Sequence, residues 1–291
     1  MKRLWDRLLG RGVAPAPIKK VTVDRSHVEQ LLAQGHALED AGQFADAEAR
    51  YREALRLSPE WARVWLNLGN IQFAQEQIDD AIASYHEALR QDPDYAAVHA
   101  NLGKLYLGQQ HYSEAAAHYA AAVQLMPDSA DAWVGWGCAL EELGRQIEAM
   151  DVYQKALTIQ PGFTGAKLNL GRVLGQLKRL DEAAAQLEDV LASEPDNGIG
   201  HALFGSVLSQ IGLIPEAVSH QRLAAQLEPK DMPVASMALF TMNYLPTCAL
   251  PDLFAAHLEF AQQFCAKFYP ANRHYIHNPD PDRRLRIGYV S

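Results

Sequence analysis

The sequence is poor in cysteine and has no long apolar run. Its three cysteines, Cys138, Cys248 and Cys265, are odd in number and lack the spacing of a metal-binding motif. We therefore expect reduced thiols in a cytoplasmic protein rather than a disulfide framework. No stretch of about 18 apolar residues is present, and the basic N-terminal residues lack the apolar core of a signal peptide. We expect neither a transmembrane helix nor stable membrane association.

Motifs for catalysis are equally scarce. The segment Gly-Trp-Gly at 135–137 begins like a dinucleotide-binding fingerprint, but Leu140 stands where the third glycine belongs and no strand precedes it. There is no phosphate-binding loop, no nucleophile elbow and no convincing pair of catalytic carboxylates. His274 and His277 alone would make a weak metal site. We predict no catalytic residue, no cofactor and no metal site in this chain.

Charge is distributed unevenly along the chain. The net charge is −9, yet residues 1–27 carry seven Lys/Arg against two Asp, a balance of +5 that leaves −14 for the remainder. An acidic body argues against nucleic acid as a partner, because phosphate binding needs a basic surface. Residues 1–27 form a basic N-terminal extension and linker. Its first ten residues could be a short amphipathic helix or a frayed tail, since so short a helix is marginal alone.

The dominant feature is a repeat of 34 residues in six copies. Three residue types recur with this period and without insertion. They are the prolines Pro59, Pro93, Pro127, Pro161, Pro195 and Pro229, the glycines Gly35, Gly69, Gly103, Gly137, Gly171 and Gly205, and the alanines Ala47, Ala81, Ala115, Ala149, Ala183 and Ala217. The copies, called repeats 1 to 6, are 28–61, 62–95, 96–129, 130–163, 164–197 and 198–231.

Each repeat has the pattern of two amphipathic helices. In repeat 3, apolar spacing predicts a first helix over 96–108 and, after a short turn, a second over 113–125 with Ser113 as its N-cap. Pro127 should end the second helix. Gly103 and Ala115 are expected where the two helices cross, because small side chains allow a close approach.

These residues resemble the tetratricopeptide repeat family. Repeat 2 carries the resemblance best, with Trp65, Leu68, Gly69, Ala81, Tyr85, Ala88 and Pro93. The resemblance implies an all-α, right-handed superhelical solenoid of six helix-turn-helix repeats whose first helices line a concave groove. The aromatic position of the second helix reads Tyr51, Tyr85, Tyr119, Tyr153, Leu187 and Gln221. The polar residue in repeat 6 suggests packing against something other than a standard repeat.

In this family the sixth and ninth positions of each first helix face the groove. The sixth positions are Ala33, Asn67, Asn101, Gly135, Asn169 and Leu203, and the ninth are His36, Asn70, Lys104, Cys138, Arg172 and Ser206. A carboxamide both donates and accepts, so a ladder of asparagines can bind the main chain of an extended peptide. The candidate peptide-binding residues are Asn67, Asn70, Asn101, Lys104, Asn169 and Arg172. The alternative is that duplication copied asparagines that simply face water.

Beyond the repeats, 232–270 is predicted to form capping or junction helices. One spans 233–244, and another spans 252–268 with Phe254, Leu258, Ala261, Cys265 and Phe268 on one apolar face. The segment 271–291 is a polar linker followed by a β-rich end, LRIGYVS. A single strand of this kind needs neighbouring strands to satisfy its backbone groups.

The sequences PDLFAAHLEFAQQF and PDRRLRIGYVS resemble the junction in bacterial proteins similar to O-linked N-acetylglucosamine transferase, the SPINDLY-like group. The resemblance implies the acceptor-recognition region of a protein glycosyltransferase, with 271–291 as the linker and first strand of a missing catalytic domain. Asn67, Asn101 and Asn169 would then be rungs of its asparagine ladder. The alternative is a free-standing repeat adaptor that scaffolds a protein assembly; neither interpretation fixes the oligomeric state.

Overall fold

The computed structural model describes residues 25–245 and 247–266, and these ranges contain helices and turns but no strand. The all-α class predicted from the repeats is therefore confirmed for the part of the chain described. The basic extension as far as residue 24, the segment 271–291 and Phe268 lie outside these ranges. The helices divide into two compact units, one before and one after the bond between Ala166 and Lys167.

Fourteen α-helices follow one another within the part of the chain that the structure describes. Their bounds are α1 Arg25–Asp40, α2 Phe44–Leu57, α3 Ala62–Ala74, α4 Ile78–Gln91, α5 Ala96–Gly108, α6 Tyr112–Leu125, α7 Ala130–Glu142, α8 Gln146–Ile159, α9 Thr164–Gln176, α10 Leu180–Ser193, α11 Gly198–Ile211, α12 Ile214–Leu227, α13 Met232–Met242 and α14 Leu250–Phe260. A π-helical turn, Ala261–Cys265, follows α14.

The second helix of each repeat ends two residues before the proline that recurs every 34 residues, as α6 does before Pro127. The residue before a proline is pushed out of the helical region, and Met126 accordingly has φ −136° and ψ 77°. The predicted N-cap is wrong by two residues: α6 begins at Tyr112, with His111 at the N-cap position, so that Ser113 lies inside the first turn. Helix α5, in contrast, has the predicted bounds.

The turn between the two helices of each repeat contains a residue with positive φ. Glycine takes this position in three repeats, but Glu76, Gln110 and Lys178 take it in the others, each with φ 62°. Residues with a Cβ adopt this left-handed conformation at some cost. The turn therefore holds its geometry even where the sequence supplies no glycine.

The periodic glycines make room for the aromatic side chain of the second helix. A Cβ built on Gly69 would lie 2.6 Å from the Tyr85 ring, and one on Gly103 would lie 2.8 Å from the Tyr119 ring. The periodic alanines, including Ala115, are fully buried at the same crossing. Small residues therefore allow a large ring to fill the space between two helices, which keeps the first helices in a fixed register.

At the C-terminal end, the predicted apolar face of α14 is wrong. Phe254 is 69% exposed and Leu258 49% exposed, whereas Leu253, Ala256 and Phe260 pack against the cluster that contains Val218, Leu239 and Met242. Apolar residues occur on both sides of this helix at helical spacing, so periodicity alone could not select the buried side. The helix contacts α13 with the face that sequence reasoning did not choose.

Candidate functional site

The six predicted peptide-binding residues lie on three first helices. Asn67 and Asn70 are on α3, Asn101 and Lys104 are on α5, and Asn169 and Arg172 are on α9. Lys104 is exposed and the other five are partly buried. Those on α3 and α5 belong to the first unit and those on α9 to the second, and each group is described within its own unit.

In the first unit, the sixth-position asparagine of one repeat bonds to the ninth-position side chain of the repeat before it. Asn67 Nδ2 lies 2.8 Å from His36 Nε2, and Asn101 Nδ2 donates to Asn70 Oδ1 at 2.9 Å. Asn70 Oδ1 also accepts from the Tyr85 hydroxyl at 2.8 Å. These bonds join successive repeats and fix the orientation of the carboxamides.

This pairing leaves hydrogen-bonding capacity in each carboxamide. An asparagine side chain has two N–H donors and an oxygen with two lone pairs. Among the described residues, the Oδ1 atoms of Asn67 and Asn101 receive no hydrogen bond, although both side chains are partly exposed. Two oriented acceptors, one on α3 and one on α5, therefore remain for a backbone N–H group of a guest chain.

The series is interrupted in repeats 3 and 4. Gly135 takes the sixth position of α7, so Lys104 has no carboxamide to meet, and its ammonium lies 5.2 Å from the centre of the Phe73 ring. A cation at this distance from an aromatic face is favourably placed. At this point of the predicted asparagine ladder, a lysine ammonium group and a glycine are present in place of a pair of carboxamides.

In the second unit, Arg172 Nη2 donates to Asn169 Oδ1 at 2.9 Å on the same helix. Arg172 also lines a cavity of about 470 Å³ together with Leu203 and Ser206, which occupy the sixth and ninth positions of α11. Lys178 also lines this cavity and donates to Gln210 at 2.7 Å. Predicted groove positions of the second unit therefore line one cavity together with two basic side chains.

Sequence reasoning missed two histidine pairs elsewhere on the repeats. His99 Nδ1 lies 3.0 Å from His118 Nδ1, and the equivalent His201 and His220 atoms lie 2.8 Å apart. His99 Nε2 contacts the Pro93 carbonyl oxygen at 3.0 Å, the same bond that Trp65 makes with the carbonyl oxygen of Pro59. Trp65 and His99 both occupy the fourth position of their repeats, so at this position a ring nitrogen contacts the proline carbonyl oxygen of the preceding repeat.

Burial is the main cause that lowers the pKa of His118 to about 4, and the neighbouring charges of His99 and His86 add to it, while Glu114 opposes them. Burial, followed by His201, also lowers the pKa of His220. The His99 contact with a carbonyl oxygen requires a proton on Nε2. In the tautomer that carries its proton there, Nδ1 of His99 accepts a hydrogen bond from Nδ1–H of His118. The lowered pKa keeps His118 uncharged at physiological pH.

Within 25–245 and 247–266, no three His, Cys, Asp or Glu side chains are close enough to hold a metal ion. No helix in those ranges combines the length and apolarity needed to cross a membrane.

Family models described as Tetratricopeptide repeat match residues 32–96, 72–134 and 140–206. No curated protein matches the chain significantly.

Solved structures with this fold include YrrB, described as a TPR protein with an unusual peptide-binding site. YrrB has 22% identity and a TM-score of 0.57, and the match covers 64% of this chain and 96% of YrrB. PilF of Pseudomonas aeruginosa has 18% identity and a TM-score of 0.63 over 72% of this chain and 96% of PilF. PilW, described as a type IV pilus biogenesis factor, has 20% identity and a TM-score of 0.61 over 71% of this chain and 93% of PilW.

These structural similarities show the fold. The matching family models together cover more than half of the chain, and such repeats are typical of protein–protein interaction scaffolds. The chain belongs to the tetratricopeptide repeat family.

Proposed function

We propose that this chain binds an extended segment of another protein along the first helices of its repeats. The contacts would come from Asn67, Asn70, Asn101, Lys104, Asn169 and Arg172. The observation that carries the proposal is the pair of oriented carboxamides, Asn67 and Asn101, each fixed by the preceding repeat and each with an oxygen left over.

Fixed carboxamides suit recognition of a main chain. Their oxygens accept from backbone N–H groups whatever the guest's side chains are, and orientation before binding reduces the entropy lost on binding. Lys104 adds positive charge on the same helix as Asn101, and Arg172 adds it beside Asn169 in the second unit. These charges favour a guest with acidic residues or exposed carbonyl oxygens. YrrB, which has the same fold, is described as having a peptide-binding site, and this supports a peptide as the class of ligand.

The test is a selection from a phage-displayed random peptide library on the immobilised 291-residue chain. The affinity of a recovered peptide is then measured by calorimetry for wild type and for Asn67→Ala/Asn101→Ala. We expect the double variant to bind about tenfold or more weakly, because each lost hydrogen bond contributes roughly 0.5–1.5 kcal/mol.

Asn243→Ala is the matched control, since the side-chain amide of Asn243 donates, among the residues described, to carbonyl oxygens of its own helix, α13. This control should bind as wild type does. Failure to recover any peptide, or equal weakening by Asn243→Ala, would contradict the proposal.

We further propose, from the resemblance of residues 250–291, that the bound protein is an acceptor for an O-linked N-acetylglucosamine transferase-like enzyme. In this proposal, residues 28–231 recognise the acceptor, 232–270 form the junction and 271–291 lead into the catalytic domain. The protein would act in the cytoplasm, and its partner would be a protein and not a nucleic acid. Sequencing the gene past codon 291 tests it. A glycosyltransferase reading frame would support the transferase proposal, and unrelated sequence would leave the scaffold adaptor as the function.

A further inference from the structure

The cavity between α9 and α11 in the second unit is locally basic, although the chain is acidic. The whole sequence has 35 Asp and Glu against 26 Lys and Arg. None of the described residues that line the cavity is an aspartate or a glutamate. Its polar lining consists of Arg172, Gln176, Lys178, Ser206 and Gln210. The two charges that border this space are therefore both positive.

A glycine on α9 helps to leave the cavity open. Gly175 occupies the twelfth position of repeat 5, where repeats 1 and 4 carry Glu39 and Glu141, each of which accepts a hydrogen bond from the tyrosine hydroxyl of its own repeat. A Cβ built on Gly175 would meet only Val207, at an ordinary contact distance of 3.5 Å. Gly175 therefore borders open space, and the cavity lacks the carboxylate that two other repeats have at this position.

The Lys178 ammonium is held at the cavity by a neutral partner. Lys178 lies in the turn between α9 and α10, at the residue with φ 62°, and its ammonium donates to Gln210 Oε1 on α11 at 2.7 Å. This bond joins repeats 5 and 6. Among the described residues Lys178 forms no ion pair, so an amide oxygen orients the ammonium without cancelling its charge.

Arg172 brings a second cation to the same cavity. Its Nη2 donates to Asn169 Oδ1 at 2.9 Å, and a guanidinium has five N–H donors in a planar arrangement that matches a carboxylate. Leu203 and Val207 provide apolar wall, which suits the methylene groups of a short side chain. A cationic guest would be repelled here, whereas a carboxylate would form charge-assisted hydrogen bonds, which are stronger than those of a neutral amide.

We propose that this cavity binds the side-chain carboxylate of an aspartate or glutamate of the guest peptide, with Lys178 and Arg172 as the donors. This inference rests on the proposed peptide-binding function and adds Lys178, which lies outside the sixth and ninth positions, to the binding residues. Carboxamides accept from any main chain, so the cavity would make one residue of the guest specific.

The first test measures the affinity of a peptide recovered from the random library for the 291-residue chain. Lys178→Met removes the charge and keeps an unbranched side chain. We expect binding to weaken about five- to tenfold, because a hydrogen bond between charged groups is lost. The thermal unfolding midpoint should stay the same, since Lys178 is exposed.

Lys230→Met is the matched control, because Lys230 is also exposed, belongs to the second unit and does not line the cavity. It changes the net charge equally and should bind as wild type does. The peptide is also synthesised with each Asp or Glu changed to Asn or Gln. One of these changes should weaken binding to wild type and leave no further effect of Lys178→Met.

A second variant tests the cavity without removing a basic residue. Gly175→Glu supplies a carboxylate from the chain itself, as repeats 1 and 4 do, and it should weaken binding at least as much as Lys178→Met by occupying the donors. Gly175→Ala is its control, because the added methyl group has an ordinary contact with Val207. This control should bind as wild type does.

The outcomes separate the two proposals. If Lys178→Met binds as wild type, or if Lys230→Met weakens binding equally, while Asn67→Ala/Asn101→Ala still weakens it, the carboxylate site is wrong and the peptide-binding proposal survives. Recovered peptides without any acidic residue would also overturn the carboxylate site. Recovery of no peptide would overturn both proposals.

Discussion

In repeats 1 to 4 a tyrosine ring lies against the periodic glycine, whereas repeats 5 and 6 place Leu187 and Gln221 against Gly171 and Gly205. All of these side chains are buried, so each repeat fills the same space. Only the tyrosines carry a hydroxyl from that space to the sixth, ninth and twelfth positions of the first helices. The comparison separates two roles of one position, because filling volume needs any large side chain, whereas supporting the groove polar groups needs tyrosine.

The largest effect should come from enlarging the small residue that both kinds of repeat share. Ala115→Leu inserts a bulky side chain at a fully buried crossing, and overpacking of this kind costs roughly 1–3 kcal/mol. The free energy of unfolding, measured with denaturant, should fall by about 3 kcal/mol. An unchanged midpoint would mean that the helices do not cross at Ala115.

The next prediction compares a repeat in which an aromatic ring lies against the periodic glycine with a repeat in which a leucine side chain does. Gly103→Ala places a methyl group 2.8 Å from the Tyr119 ring, and this ring has little room to move because it also lies against Gly135. Gly171→Ala instead places its methyl group against Leu187, a side chain that can adjust more easily. We expect a net loss of about 1–2 kcal/mol for Gly103→Ala and a smaller one for Gly171→Ala, after the helix propensity gained from alanine.

Gly108→Ala is the control for propensity, since nothing lies within 4 Å of a Cβ there. It should stabilise the protein by up to about 1 kcal/mol. Equal losses in Gly103→Ala and Gly108→Ala would show that contact with the ring is not the cause.

A stabilising substitution is expected in repeat 6. Gln221 is 1% exposed, and its Oε1 atom has no hydrogen-bond partner among the described residues. Gln221→Leu copies the residue used in repeat 5 and removes the unpaired oxygen, so stability should rise by about 1 kcal/mol. Thermal unfolding checks this, and a loss of stability would indicate that the amide is satisfied in solution.

The last prediction is a pH dependence that comes from repeat 3. The pKa of His118 is about 4 in the folded chain, chiefly through burial, against roughly 6.5 when unfolded. Its contribution to stability is therefore complete above about pH 6.5 and is lost as the pH falls from there towards 4. The free energy of unfolding, measured with urea, should fall less between pH 7 and 4.5 for His118→Asn than for wild type. Equal decreases in the two proteins would contradict this.

Much of the fold could be predicted because glycine, alanine and proline recur with one period, and each has a local physical reason for its place. The positions of Asn67 and Asn101 on first helices followed from that register. Their partners did not, because the bond from Asn67 to His36 depends on the offset between successive repeats.

The central claim is that fixed asparagine carboxamides on the first helices hold an extended peptide. Side-chain amide signals of Asn67, Asn101 and Asn243 can be assigned by NMR with single substitutions and followed as a recovered peptide is added. The account predicts that the signals of Asn67 and Asn101 shift with saturation at the calorimetric affinity, while that of Asn243 stays in place. Saturable binding that leaves the Asn67 and Asn101 signals unmoved would contradict it.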